Sequence, residues 1–189
     1  IDEYKYDIYN MAIEYLKEDS QHYRRSIVTN VYRNPMDIFD RHLYEKGGLV
    51  LHMLRGILGE DLFWKAIRYY AVERQDSNVI TSDLQNAIEK STGRNLDWFF
   101  EQWVFKGGHP DFKVNYSWEE DSNTAKITVK QTQEVDVLTS IYRMPVDISF
   151  LTSNKRLNFN VDLVESHHTF HFDLPERPKA VQFDPGYKV

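Results

Sequence analysis

Phe39-Asp40-Arg41-His42-Leu43-Tyr44-Glu45-Lys46-Gly47-Gly48-Leu49-Val50-Leu51-His52-Met53-Leu54 is the stretch that decides how this chain is read. From roughly Asp40 to Leu58, the residues Leu43, Leu49, Val50, Leu51, Met53, Leu54, Ile57 and Leu58 cover most of a helix's circumference, which puts this helix at the centre of a bundle. Gly59 closes it. Tyr44, on the first turns, can aim its hydroxyl into a cleft, and the paired glycines Gly47 and Gly48 allow another segment or a substrate to come close.

Helical spacing extends to both sides. Between Asp2 and about Asp19, Tyr4, Ile8, Met11, Ala12, Tyr15 and Leu16 form one apolar stripe opposite a charged face. A connector with Ile27-Val28-Thr29 and Asn34-Pro35 follows. Beyond Gly59, Leu62, Phe63, Ala66, Ile67, Tyr70 and Ala71 define a third helix, and Ser82 with Gln85 has the capping-box pattern that starts a fourth through Ile88, ended by Gly93. Asn95 caps a last helix carrying Leu96, Phe99, Phe100, Trp103 and Val104, which Gly107-Gly108 and Pro110 stop. Trp98, Phe99, Phe100 and Trp103 read as core at this spacing.

Past Pro110 the period falls from about 3.6 to 2. Phe112, Val114, Tyr116 and Trp118 alternate with polar residues, Asp121-Ser122-Asn123 turns, and Ala125, Ile127 and Val129 return as a hairpin. Glu119-Glu120-Asp121 is solvated charge at its tip. Strands follow at Val146–Phe150, Leu157–Leu163, Phe170–Leu174 and Val181–Phe183. Six or seven short antiparallel strands predict a β-sandwich. The expected class is therefore α+β, with an α-helical bundle over 1–108 and a β-sandwich domain over 109–189.

Composition sets the outer limits. A chain of 189 residues, 41% hydrophobic and 14% aromatic, has material for one large or two small cores. Its formal charge of −6 argues against general affinity for nucleic acid or anionic membrane, and no apolar run approaches the roughly 20 residues of a membrane span. With no cysteine, disulfides and thiol nucleophiles are excluded, and the compartment stays unread. No Gly-x-Ser-x-Gly or phosphate-binding glycine loop is present, so serine-hydrolase and nucleotide roles find no support.

The 39–54 stretch closely resembles a segment of the zinc aminopeptidases of the aminopeptidase N family, which are gluzincin metallopeptidases. The resemblance continues through Leu58-Gly59-Glu60-Asp61-Leu62-Phe63 and Gly93-Arg94-Asn95-Leu96-Asp97-Trp98-Phe99-Phe100-Glu101-Gln102-Trp103-Val104, ending near Gly108-His109-Pro110. It implies that Tyr44 is catalytic, stabilising the tetrahedral intermediate. It also implies the lower half of a thermolysin-like catalytic domain followed by a small sandwich, for which Asp184-Pro185 resembles the usual end. No His-Glu-x-x-His occurs in the chain, and in the family the zinc ligands precede the tyrosine segment. The expectation is a piece of a longer enzyme, which its start at Ile1 suits: peptide substrate and Zn belong to the full-length parent, the remaining zinc-bearing part is its partner, and this piece alone is inactive and binds no catalytic zinc. An apolar patch around the start of the Tyr44 helix, larger than the few hundred Å² usual for a monomer, is expected where that part packs. The alternative is a non-catalytic relative serving as a protein-interaction scaffold.

The seven histidines give no ligand set at metal spacing. His167, His168 and His171 lie on a strand, where residues four apart are roughly 13 Å from each other and His168 and His171 face opposite sides. His42 with Glu45 at i, i+3 offers two ligands at most, and His22, His52 and His109 have no companions. Glu45 and Lys46 read as a solvated, ion-paired helix edge.

Overall fold

A computed structural model describes residues 3–189 and divides the chain into two compact units, the first ending at Gly108 and the second running from His109 to Val189. Asp2, where the predicted first helix begins, lies outside the described residues. The protein is α+β: helices, then antiparallel strands.

The helical unit contains α1 (Glu3–Gln21), a 3-10 turn (Pro35–Ile38), α2 (Glu45–Leu58), α3 (Glu60–Glu73), α4 (Thr81–Thr92) and α5 (Asp97–Trp103). Its core is Ile8 and Tyr15 of α1, Val50, Met53 and Leu54 of α2, Phe63 and Ala66 of α3, Ile88 of α4, and Phe99, Phe100 and Trp103 of α5. Trp98 is only half-buried. Of the stripe predicted on α1, Tyr4 and Leu16 stay exposed, and Leu51 of α2 is exposed as well. The helix that the sequence places at the bundle centre therefore keeps one apolar side uncovered.

Helix ends follow local chemistry. Gly59, at φ 79°, breaks α2 from α3, and Gly93, at φ 70°, ends α4 in the left-handed region where a side chain is penalised. Three starts differ from expectation. The Ser82/Gln85 box does not form; instead the Asp83 carboxylate accepts from the Ile80 amide at 2.9 Å, two residues earlier in register. α2 begins at Glu45 rather than Asp40, because Asp40 accepts from the Leu43 amide at 3.0 Å and holds 40–44 as turns. The expected Asn95 cap of α5 does not form either: Leu96 holds the N-cap position with no side-chain hydrogen bond, and Asn95 Oδ1 accepts from the Asp97 amide at 3.2 Å in the turn just before it.

The second unit is a sandwich of two three-stranded antiparallel sheets, ordered β1-β2-β5 and β4-β3-β6. The strands are β1 Phe112–Glu119, β2 Thr124–Gln131, β3 Met144–Leu151, β4 Arg156–Leu163, β5 His167–Asp173 and β6 Ala180–Phe183. Ala125, Ile127 and Val129 of β2 face Met144, Val146, Ile148 and Phe150 of β3 in the core, and each set alternates with outward residues. Phe172 bridges the sheets, with its ring 5.1 Å from Phe150 and 4.8 Å from Phe159. Asn123, at φ 51°, supplies the left-handed turn residue of the first hairpin.

Candidate active site

Tyr44 stands at the N-cap of α2 with 58% of its surface exposed. Its ring packs at a tilt against Phe39, 6.1 Å between centroids. Among the described residues its hydroxyl has no hydrogen-bond partner, so it is free to donate outward. The ring borders a groove of about 640 Å³, lined by Gly47, Gly48 and Leu51 of α2, Ile80 just before α4, Leu84 of α4, and Phe100 of α5. Gly47 has open space where a Cβ would project, and Met36, Phe39 and Ile80 add exposed apolar surface to this unit. Apolar side chains thus border Tyr44 along this groove.

The turn that delivers Tyr44 is anchored from behind by a buried charge cluster. Asp40 accepts from Arg25 Nε at 2.8 Å, Arg25 Nη2 at 2.5 Å, the Tyr23 hydroxyl at 2.6 Å and the Leu43 amide. Burial raises the Asp40 carboxyl, but these donors outweigh it and hold the group below the usual carboxylate range. Burial, with Asp40 adding to it, pushes the Tyr23 phenol up to about 12. His42, fully buried, places Nε2 3.0 Å from Asp19 Oδ1 and Nδ1 3.3 Å from Glu18 Oε1, and its ring stacks on Tyr23 at 5.2 Å.

Lys46 corrects the sequence reading. Far from lying on a solvated edge, it is 3% exposed, with Nζ 3.1 Å from the Gly108 carbonyl and 3.5 Å from that of Lys106. Burial pushes its ammonium down to about 8, Arg25 pushes the same way, and Asp19 opposes them. Glu45 is ion-paired, to Arg41 one turn earlier, and not to His42. What sequence spacing missed is that His42, Asp40 and Glu18 converge; the signal lay in carboxylates more than twenty residues earlier, which only folding brings near.

That convergence is the one group of potential metal ligands among the described residues, and it does not fit zinc. His42 turns Nδ1 toward Glu18 and Asp40, but both Asp40 oxygens are already satisfied and a guanidinium lies against them, which opposes a cation there. The strand histidines stay apart: His168 Nε2 accepts from the Val164 and Glu165 amides at 3.0 Å, while His171 sits opposite Lys126. Of the remaining histidines, His52 pairs with the Tyr4 hydroxyl at 2.9 Å.

Residues 3–103 match the Peptidase family M1 domain, and the chain belongs to that family. It is 31% identical over 121 residues to the Tricorn protease-interacting factor F2 of Thermoplasma volcanium, covering 64% of this chain and 15% of that protein. It is 28% identical over 159 residues to Probable aminopeptidase 1 of Sulfurisphaera tokodaii, covering 82% of this chain and 19% of that protein. The chain thus spans less than a fifth of the length of these relatives. The crystal structure of Legionella pneumophila aminopeptidase A in complex with aspartic acid shares the fold, with TM-score 0.70 at 18% identity over 84% of this chain and 18% of that one.

Proposed function

We propose that this chain forms part of a zinc-dependent aminopeptidase that removes N-terminal residues from peptides, and that Tyr44 donates its hydroxyl to the oxygen of the scissile carbonyl. The helical unit, 1–108, is the helical subdomain of the catalytic domain, and 109–189 is the sandwich domain that follows. The observation that carries this reading is the exposed, unpartnered phenol of Tyr44 at the rim of an apolar groove, in a chain of the M1 family.

The chemistry of this residue is donation to a developing charge. As the carbonyl carbon becomes tetrahedral its oxygen gains negative charge, and a fixed hydroxyl donor stabilises that state more than the planar ground state. The packing of Phe39 against the phenol and the anchored turn behind it limit the reorganisation that donation requires. The family implies zinc, which the residues of this chain do not fit; its ligands belong to the rest of the protein, and this chain alone is inactive. The uncovered side of α2 is the seat of that zinc-bearing part, whose contact would remove the groove's apolar surface from water.

Tyr44→Phe in the complete protein tests the assignment. Turnover should fall about a hundredfold with KM little changed, the usual cost of one lost oxyanion donor. A kcat within about threefold of wild type removes Tyr44 from the reaction. The residues preceding this segment in the complete protein separate enzyme from scaffold: His-Glu-x-x-His with a glutamate about twenty residues later supports catalysis.

A further inference from the structure

We propose that Lys46 is a positioning residue for Tyr44, its ammonium group clamping the first turn of α2 to the carbonyls of the 106–108 segment so that the phenol faces the groove. The inference rests on Tyr44 acting as the oxyanion donor.

The first turn of α2 has little to hold it by itself. No side chain caps its N-terminus, and Gly47 and Gly48 each weaken a helix by roughly 1 kcal/mol relative to alanine. Two residues along a helix turn about 200°, so Tyr44 and Lys46 point to opposite sides of one turn. One is 58% exposed and the other 3%. Anything that fixes the inward side chain fixes the outward one. Lys46 reaches the Gly108 carbonyl at 3.1 Å and lies 5.3 Å from the centre of the Tyr15 ring. Asp19 and Tyr15 of α1, Arg25 of the connector and the two carbonyls are the groups that surround it.

This clamp carries a cost that a purely structural side chain would not. A methionine of similar length would occupy the same space without desolvating a charge, and the Gly108 carbonyl would still accept from Tyr15 at 3.0 Å. The charge therefore stabilises a geometry rather than the fold as a whole. The pH dependence separates the two effects. With the folded-state value near 8 and an unfolded value of 10.5, the unfolded chain holds more protons between them, so stability rises with pH across that window. The clamp itself weakens over the same window as the ammonium is lost.

Two measurements test the proposal. In the complete protein, Lys46→Met should lower kcat about tenfold or more with KM nearly unchanged, and should cause no further loss in a Tyr44→Phe background. The urea midpoint of the 189-residue chain carrying Lys46→Met should be no lower than wild type at neutral pH. An unchanged kcat, or an equal loss in the Tyr44→Phe background, overturns the proposal. The second measurement needs neither activity nor a stable Lys46 variant. With ring-labelled tyrosine, the Tyr44 resonance of the 189-residue chain, assigned by its absence in Tyr44→Phe, should shift with a midpoint at about pH 8. A resonance that stays flat between about pH 6.5 and 9 overturns it as well. If Tyr44→Phe itself leaves turnover intact, the oxyanion role is what fails, and the resonance still reports on the clamp.

Discussion

Asp40 fixes the turn from which Tyr44 departs. Its side chain is 7% exposed, and that of its partner Arg25 is 12% exposed. Arg25 also donates to the carbonyls of Ser26, Ile27 and Ile38, so one guanidinium organises the connector while neutralising the carboxylate. Asp40→Asn would leave that guanidinium without its counter-charge, and we expect a loss of about 3 kcal/mol in urea unfolding, the scale for breaking a largely buried pair. Because the folded-state carboxyl is held below its ordinary 3.8, the stability it contributes is complete above that value. It is lost as pH falls through the depressed folded value. Unfolding of wild type and Asp40→Asn compared at about pH 7 and pH 3 should show the gap between them closing in acid. The family resemblance singled out Tyr44, whereas the reading of Lys46 as a solvated helix edge misplaced it, for one physical reason. A resemblance is carried by neighbouring residues alone, whereas a lysine is drawn inward by a carbonyl sixty residues away in the chain.

Within α2 the two adjacent glycines do different things. A Cβ at Gly47 meets nothing within 4 Å, while at Gly48 it would lie 2.3 Å from Cε of Met11 on α1. Gly47→Ala should therefore raise stability by about 0.5–1 kcal/mol, from helix propensity and a less flexible unfolded chain. Gly48→Ala should lose that gain, ending neutral or about 1 kcal/mol below wild type as the Met11 methyl is displaced. Paired urea titrations of the two variants check the contrast; equal shifts would show that α1 does not press on Gly48. Apolar periodicity announced α2 as a helix, but its start was misread by five residues. The Asp40 side chain competes for a backbone amide, and that outcome depends on Arg25 holding the carboxylate in place.

At the scale of the whole molecule, each unit has its own core, and neither borrows its regular structure from the other. Residues 109–189 expressed alone should show a strand-type circular dichroism spectrum and a cooperative unfolding transition, because both sheets and the aromatic bridge of Phe150, Phe159 and Phe172 lie inside that stretch. A non-cooperative melt would show that the sandwich needs the helices. The helical unit, with its groove open, should bind an apolar dye, and if the proposed zinc-bearing part packs there, adding it should suppress that signal. No helix among the described residues is long and apolar enough to cross a membrane.

Local periodicity by itself determined the kinds of element, their order and the change from helices to strands near Pro110, because 3.6- and 2-residue repeats are properties of neighbouring residues. The motif around Tyr44 likewise singled out that residue without coordinates. Only the tertiary structure decided that the phenol stands at an open groove, that Lys46 lies beneath it, and that Asp40 and His42 share a buried cluster with Arg25, Asp19 and Glu18. Burial and charge pairing are set by which distant segments meet, and that information is not carried by any single stretch of chain.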